Sequence, residues 1–537
     1  MFANMKSFLH RSSAGVRSGI EEARLAAGRI LAGLKRHALH NAPADHESTP
    51  FTCENDMLAM AARLEILAKM PDLVPGLDLP ERFVIPLAGM LGHTIDDSRC
   101  KIAARQNDAP TQRMLAASRT PIPEGAPTTF ILAPFDIMTH TVDGRLHAQL
   151  LENNDTGYIG ATSASPQVQA MIWESTGRIV AQAFGKEDNP LVLVSVSGME
   201  NKADPRPNKM VHEKIATAVV IARELERRLG REVHTYALQD LIAGMDAIDQ
   251  DAPAVVLGYT QQFIDTLQLN NDRSLVLTGR KVDGIHNGRL IKNLATLYGD
   301  KCDLESFKAF NPTWQSGQDK GDAYRHANAF NSRFGASFPL LSRPITFEQV
   351  DKADGFDGIA GKAKAFLEQG IPVVLKPSGT GNGKGIRFID LGASDSDIAE
   401  TVADMWREIN ECYTDCFGNL TAGFPITVAE ALQPGVVNAP GTAMHGRTFE
   451  LRFVVINDGQ DHLVCAPTIA KVNMGQGRVN NVSASINQQD AMGIRGADCV
   501  VPMLDMPEVE RMLGLTEAQL AEMAAWVARD MAYILSM

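Results

Sequence analysis

The chain has 537 residues, 45% hydrophobic and 21% charged, which allows two or three domains with ordinary cores. A formal net charge of −13 argues against a nucleic-acid surface, which needs a basic face, and leaves room only for a local basic pocket. No apolar run reaches the roughly 18 residues of a membrane span. The seven cysteines are scattered, a usage that fits reduced thiols and a cytoplasmic location. Cys412 and Cys416 stand closest, but lack the second pair or the histidines of a zinc site and read as packing residues.

Residues 1–125 are expected to form a helical N-terminal extension. Over 14–38, Val16, Ile20, Ala23, Ala27 and Leu34 recur at helical spacing, with Arg17, Arg24, Arg29, Lys35 and Arg36 between them. Such a helix lies on a membrane surface or packs against protein. Glu21 and Glu22 dilute its charge and favour protein, so it is a candidate contact for a second copy or a partner subunit. A polar linker over 38–56 precedes a second helix at 57–70, and 104–127 reads as loop.

Residues 126–330 alternate between strand and helix patterns, the signature of a parallel α/β domain. After the apolar run Phe130-Ile131-Leu132-Ala133 come strand candidates at 191–197, 232–238, 254–258 and 274–285. A helix spans 209–229, with Ile215, Ala218, Val219 and Ala222 on one face and Gly230 behind it. No strand here leads into G-x-G-x-x-G, so a dinucleotide fingerprint is missing. The stretch Glu152-Asn153-Asn154-Asp155 reads either as a turn or as a substrate contact. Residues 306–345 show weak periodicity.

Residues 331–537 form a further unit: a helix at 359–369, a strand ending in Lys376, a glycine loop, a returning strand and a helix at 395–412. Strands at 425–432, 449–458 and 462–472 follow, with a turn at Asn457-Asp458-Gly459, and then a helix at 517–536 capped by Thr516 and Gln519. The loop places glycines at 379, 381, 383 and 385 and a lysine at 384 between two strands. Gly385 follows Lys384 where a P-loop needs Ser or Thr, and a strand follows where a dinucleotide loop needs a helix. A protein kinase would carry its lysine after the loop, with H-R-D and D-F-G motifs that are absent. As a bare hairpin, four alternating glycines would weaken the strands for nothing.

Val374-Leu375-Lys376-Pro377 followed by Ser378–Gly385 resembles the ATP-grasp superfamily, of the carboxylate–amine ligase type. There a strand-end lysine meets the nucleotide phosphates and a glycine loop folds over them. The resemblance implies that Lys376, Ser378, Gly379, Thr380, Gly381, Gly383 and Lys384 bind ATP. Glycines would let backbone N–H groups come close to the phosphates. Glu430 and Leu432, in AEAL, are similar to the family's hinge, which meets adenine and ribose. Glu450-Leu451-Arg452-Phe453-Val454 resembles a strand whose arginine serves the acyl phosphate, and Lys471 matches a second basic residue, so Arg452 and Lys471 are the implied catalytic pair.

The family holds Mg²⁺ with a late Glu-x-Asn, and none occurs after residue 481. The metal ligands implied instead are Glu450, Asn480 and Asn481, with Asp498 and Asp505 as further candidates. The implied fold is α/β, an ATP-grasp pair of α+β subdomains preceded by a parallel-sheet domain and the helical extension. The implied activity is ADP-forming ligation of a small-molecule carboxylate and amine, with ATP and Mg²⁺. An ATP-grasp phosphotransferase and a non-catalytic nucleotide-binding regulatory subunit are the alternatives.

Overall fold

After the short helical turns Glu81–Val84 and Ile85–Met90 come helix α1 (Asp108–Ser118), the short strand β1 (Thr120–Pro121) and a long hairpin of β2 (Leu132–Val142) and β3 (Arg145–Asn153). The computed structural model describes residues 68–74, 76–90, 102–154, 161–186, 188–196, 211–286, 288–311, 319–378, 383, 385–412, 423–475, 478 and 500–537. All of them lie in one unit, Ala62–Met537. The expected helix over 14–38 and most of that over 57–70 lie outside the described residues. The 104–127 loop expectation is corrected by α1. Met114, Leu115 and Ser118 form a buried face there, and Pro110 sits in the first turn, where its missing N–H costs nothing. The hairpin turns on Asp143-Gly144, with φ of 50° and 76°, the left-handed pair of a tight two-residue turn.

The parallel layer follows. It comprises α2 (Pro166–Gln182), β4 (Leu191–Val196), α3 (Val211–Leu229), β5 (His234–Ala237), β6 (Ala254–Tyr259), α4 (Thr260–Thr266), a small sheet of β7 (Gln268–Leu269), β8 (Leu275–Leu277) and β9 (Arg280–Lys281), then β10 (Gly284–His286), α5 (Gly288–Tyr298) and β11 (Lys308–Phe310). The large sheet runs β11-β10-β4-β6-β5, every pair parallel. Val192, Val194 and Val255 share a core with α2 and α3, while Leu191, Leu193 and Val256 share another with Phe263 and Leu290. Burial on both faces explains why these strands are apolar without alternation. The segment 274–285, expected as one strand, breaks at Thr278-Gly279, whose φ values are 48° and 84°. The chain leaves β4 toward β6 and β5 but leaves β10 toward β11, so a topological switch point lies between β4 and β10.

Helix α6 (Lys320–Phe334), within the stretch of weak periodicity, buries Ala323, Tyr324, Ala327 and Phe330. Next come β12 (Phe347–Val350), α7 (Gly355–Glu368), β13 (Val373–Pro377), β14 (Arg387–Ile389), α8 (Asp395–Cys412) and β15 (Ile426–Glu430). These strands form an antiparallel sheet in the order β12-β15-β13-β14. Its outer face packs Val373, Leu375 and Val428 against Ile359, Phe366 and Met405 of α7 and α8.

The last strands are β16 (Phe449–Asn457), β17 (His462–Val472) and β18 (Val500–Pro502), before α9 (Glu517–Leu535). They join the early hairpin in an antiparallel sheet, β1-β17-β16-β2-β3, with β18 on β17. The parallel layer is therefore inserted between strands of one sheet. Phe135, Ile137, Leu451 and Phe453 share a core with Met523, Trp526 and Val527 of α9, which starts on the expected Thr516–Gln519 capping box. On the other face, Leu132, Val454 and Ile456 join the core of α2 and α3. Further along that face the residues become Asp136, Glu450, Arg452 and Lys471. Two irregularities in register fall at the change, between Asp136 and Ile137 and between Arg452 and Phe453. Bulges of this kind re-aim side chains beside sites.

Candidate functional site

Lys376 lies on β13 opposite the outer face, by strand alternation with Val373 and Leu375. It is 8% exposed. Its Nζ donates to Tyr324 Oη, which in turn donates to the Leu151 carbonyl at 3.1 Å. One helical turn earlier, Lys320 pairs with Glu152 at 3.3 Å. Helix α6 thus ties β13 to the bulged end of β3. Burial pushes the Lys376 ammonium down to about 8, against the opposing pull of Glu152 and Glu450.

The ends of the glycine loop are held. Ser378 N–H donates to the Gly423 carbonyl at 2.8 Å. Gly385 N–H and Arg387 Nη1 both donate to Glu408 Oε2, at 3.0 and 2.8 Å. Gly383 and Gly385 have φ of 69° and 73°. At Gly385 a Cβ would also meet Pro377 Cγ at 2.8 Å, so only glycine fits. Gly379, Thr380, Gly381 and Lys384 lie outside the described residues, as do Asn480, Asn481 and Asp498. Asp505 is described, before a helix away from Lys376, where it faces Arg105 at 3.8 Å.

Arg452 and Lys471 converge on a residue the sequence did not single out. Arg452 donates from Nε and Nη2 to Asp136 Oδ1 and Oδ2 at 2.9 and 2.8 Å. Lys471 Nζ reaches Asp136 Oδ2 at 2.8 Å and also pairs with Glu450. Asn154 Nδ2 donates to Asp136 Oδ2 at 3.0 Å. Asp136 is 1% exposed. Burial pushes its carboxyl up, but Arg452 and Lys471 outweigh burial and hold it well below the usual carboxylate range. Arg452 is held above its ordinary value, with Asp136 overcoming burial. Burial raises Glu450 to about 7, helped by Asp136 and opposed by Lys471. Burial and Arg452 push Lys471 down, yet Asp136 and Glu450 carry it above its ordinary value. The lysine therefore keeps its proton, and Glu450 is the member of that pair that titrates.

Glu152-Asn153-Asn154 supplies the Glu-x-Asn spacing that was absent downstream. Glu152 pairs across the sheet with Asp136, and Asp136 with Arg452. The field of Glu152 bears on Glu450, Arg452, Lys471 and Lys376 alike. Among the described residues no three His, Cys, Asp or Glu side chains form a metal-holding group by themselves. Magnesium takes one or two carboxylates and completes its shell with phosphate oxygens and water. Glu152, Asn154 and Glu450 are oxygen donors of that kind, and Glu450 is strained as an anion by burial. The donor set therefore fits an ion shared with phosphates.

Glu430, at the end of β15, is clamped by Arg343, whose Nη1 and Nη2 donate to its two oxygens at 2.9 and 2.5 Å. The Thr346 N–H adds a third bond at 3.1 Å. Arg343 Nη1 also reaches Gln149 Oε1 at 3.2 Å, joining this sheet to β3. Leu432 follows, half-buried.

The carboxyl edge of the parallel sheet carries a further polar group. Ser195 and Thr260 share a hydrogen bond of 2.7 Å. Lys214 is pushed down to about 8 by burial, and His286 to about 3 by burial and by Lys214. Glu213 accepts from Thr162 N–H and Oγ1 at 3.1 and 2.6 Å, fixing α3 to the residues that follow β3.

No family model and no curated protein sequence matches the chain. Among solved structures it is similar to a glutathione synthetase-like effector from Globodera pallida in its apo form. The identity is 10%, the overlay covers 79% of this chain and 86% of that one, and the TM-score is 0.30.

Proposed function

We propose that the chain is an ADP-forming carboxylate–amine ligase of ATP-grasp type. The carrying observation is the set of opposed groups on two antiparallel sheets. Lys376 sits at the strand end before the glycine loop, within the field of Glu152 and Glu450, and the same two carboxylates act on Arg452 and Lys471. Lys376 would hold ATP phosphates, with the loop of Ser378, Gly379, Thr380, Gly381, Gly383 and Lys384 over them and Glu430 and Leu432 toward the nucleoside. Glu152, Asn154 and Glu450 would hold Mg²⁺, which supplies charge neutralisation on the phosphates. Arg452 and Lys471, kept charged by Asp136, would stabilise negative charge on the phosphorylated carboxylate.

In this reaction a carboxylate oxygen takes the γ-phosphoryl group and ADP leaves. The amine then attacks the acyl carbon, loses a proton and expels phosphate. Closure of the loop would exclude the water that hydrolyses an acyl phosphate. The switch-point group of Lys214, His286, Ser195 and Thr260 would bind the substrate portion remote from the reacting carboxylate, since ligands settle outside the carboxyl ends of such strands.

The test is ATP turnover across a panel of amino acids and small acids, with Lys376→Ala as control. An amide product with stoichiometric ADP, lost in the variant, is expected. A phosphorylated substrate accumulating as final product would make the protein a phosphotransferase, and ATP binding without turnover would make it a regulatory subunit.

A further inference from the structure

Asp136, Met138 and His140 share one face of β2, and His140 pairs across the hairpin with His147. At roughly 3.4 Å per residue, His140 lies about 14 Å along the strand from Asp136. The facing sheet runs the same way. Lys376 pairs with Thr427, and three residues on Val373 pairs with Glu430. The Arg343 guanidinium joins the sheets at this end through Glu430 and Gln149, as Tyr324 joins them at the other through Lys376 and Leu151. The segment after β15 also crosses here. Ala431 N–H donates to the Pro372 carbonyl and Gly435 N–H to the Thr139 carbonyl, each at 2.7 Å. That second bond seats Gly435 on Thr139, the neighbour of His140, and the charges of Arg343 and Glu430 bear on the His140 ring.

His140 is 2% exposed, and neither of its ring nitrogens has a hydrogen-bond partner among the described residues; nor does His147 Nδ1. The two rings stack at 5.7 Å between centroids, 26° apart in plane. Buried polar atoms are normally satisfied, and leaving them unmade is costly. Burial and then Arg343 hold the His140 imidazole down near 4, so it is neutral and offers one donor and one acceptor. A neutral ring suits the edge of a nucleobase, which also carries both, and suits a phosphate poorly. The adjacent Arg343 cation disfavours a metal ion between the rings.

We infer that His140, with His147 stacked on it, is the base-recognising end of the nucleotide site, hydrogen-bonding the edge of a nucleobase held between β2 and residues 431–435. This rests on the nucleotide reading above and extends it to a residue pair outside the glycine loop and the hinge.

The experiment is calorimetric titration of the full chain with Mg-ATP and, separately, with magnesium tripolyphosphate, which has the phosphates but no base. Wild type, His140→Leu, His140→Asn and Lys376→Ala are compared, each checked for folding by thermal melting. His140→Leu should weaken ATP about tenfold, the size of one hydrogen bond, and leave tripolyphosphate unchanged. His140→Asn, which keeps a donor and an acceptor, should recover part of that loss. Lys376→Ala should weaken both probes. If Lys376→Ala weakens both while His140→Leu weakens neither, the phosphate site stands and the base assignment falls. Micromolar Zn²⁺ binding that is lost in His140→Leu, with ATP affinity unchanged, would make the pair a metal site and overturn the assignment. Failure of wild type to bind either probe sinks the nucleotide reading and this inference together.

Discussion

Asp136→Asn is the sharpest perturbation of the charge cluster. It keeps the shape of the side chain and removes one negative charge from between two buried cations. Arg452 loses a two-bond pair at 2.9 and 2.8 Å, and Lys471 loses a contact at 2.8 Å. At an effective dielectric near 20, each pair is worth roughly 4 kcal/mol at 4 Å. The asparagine also avoids the desolvation cost of a carboxylate, so the net loss settles at about 3–5 kcal/mol. Urea denaturation followed by tryptophan fluorescence reads this directly, because Trp526 packs against the back of the same sheet. A triple variant, Asp136→Leu with Arg452→Met and Lys471→Met, should recover much of the loss, since the one carboxyl then left without its partner, Glu450, is already pushed up to about 7 by burial and takes up a proton. The folded carboxyl lies below its free value, so its stabilising contribution is present above about pH 4 and is lost as pH falls toward the folded value. The gap between wild type and Asp136→Asn should therefore narrow on acidification. A loss under about 1 kcal/mol at neutral pH, or a triple variant less stable than the single one, would refute the reasoning.

Lys376 must be charged to hold phosphate, and its ammonium titrates near 8. Tripolyphosphate affinity should be flat below about pH 7 and fall about tenfold per unit well above pH 8, while Lys376→Arg flattens the profile; a flat wild-type curve to pH 9.5 contradicts this. Gly385→Ala should cost about 1–3 kcal/mol, from its φ of 73° and the 2.8 Å approach to Pro377, and an unchanged melting temperature would contradict that strain. His286 is held near 3 against an ordinary 6.5, so the unfolded chain takes up the proton first and stability falls as pH drops through that window. The slope is at most about 1.4 kcal/mol per pH unit, and His286→Leu should remove it between pH 6.5 and 4.

Much of the fold was legible because its signals are local. The ends of α8 at 395–412 and of β17 at 462–472, the Thr516–Gln519 cap and the strand carrying Lys376 stand where spacing and caps put them. Asp143-Gly144 was an equally plain hairpin signal that went unread, and Ala323, Ala327 and Phe330 marked α6 within a polar stretch. Asp136 was not legible. Its meaning comes from Arg452, 316 positions away, and strand pairing over that distance leaves no local trace. Glu152-Asn153-Asn154 was read as a turn or a substrate contact, and its Glu-x-Asn spacing went unread for a related reason. The Glu-x-Asn spacing was sought after the last strands, whereas Glu152 and Asn154 stand at the end of an early hairpin that the sheet brings alongside Arg452.

The bulges at Leu151 and Thr468 make this sheet two alternating patterns out of phase, spliced at the site. In β17, Val464 and Ala466 face the core of α2 and α3, whereas beyond the bulge it is Lys471 that takes that face and Ala470 and Val472 that turn to the α9 core. In β3 the same slip turns Glu152 away from the apolar side held by Ala148 and Leu150. Deleting Thr468 would remove the bulge and leave Lys471 opposite Glu450, whereas pairing the strands regularly with Thr468 kept would drive Lys471 toward the α9 core and turn Ala470 and Val472 toward Asp136. The charge cluster is thus indexed by a count of residues as much as by their identity: Ala466 and Lys471 stand an odd number of positions apart and share a face only because of the one residue the bulge absorbs.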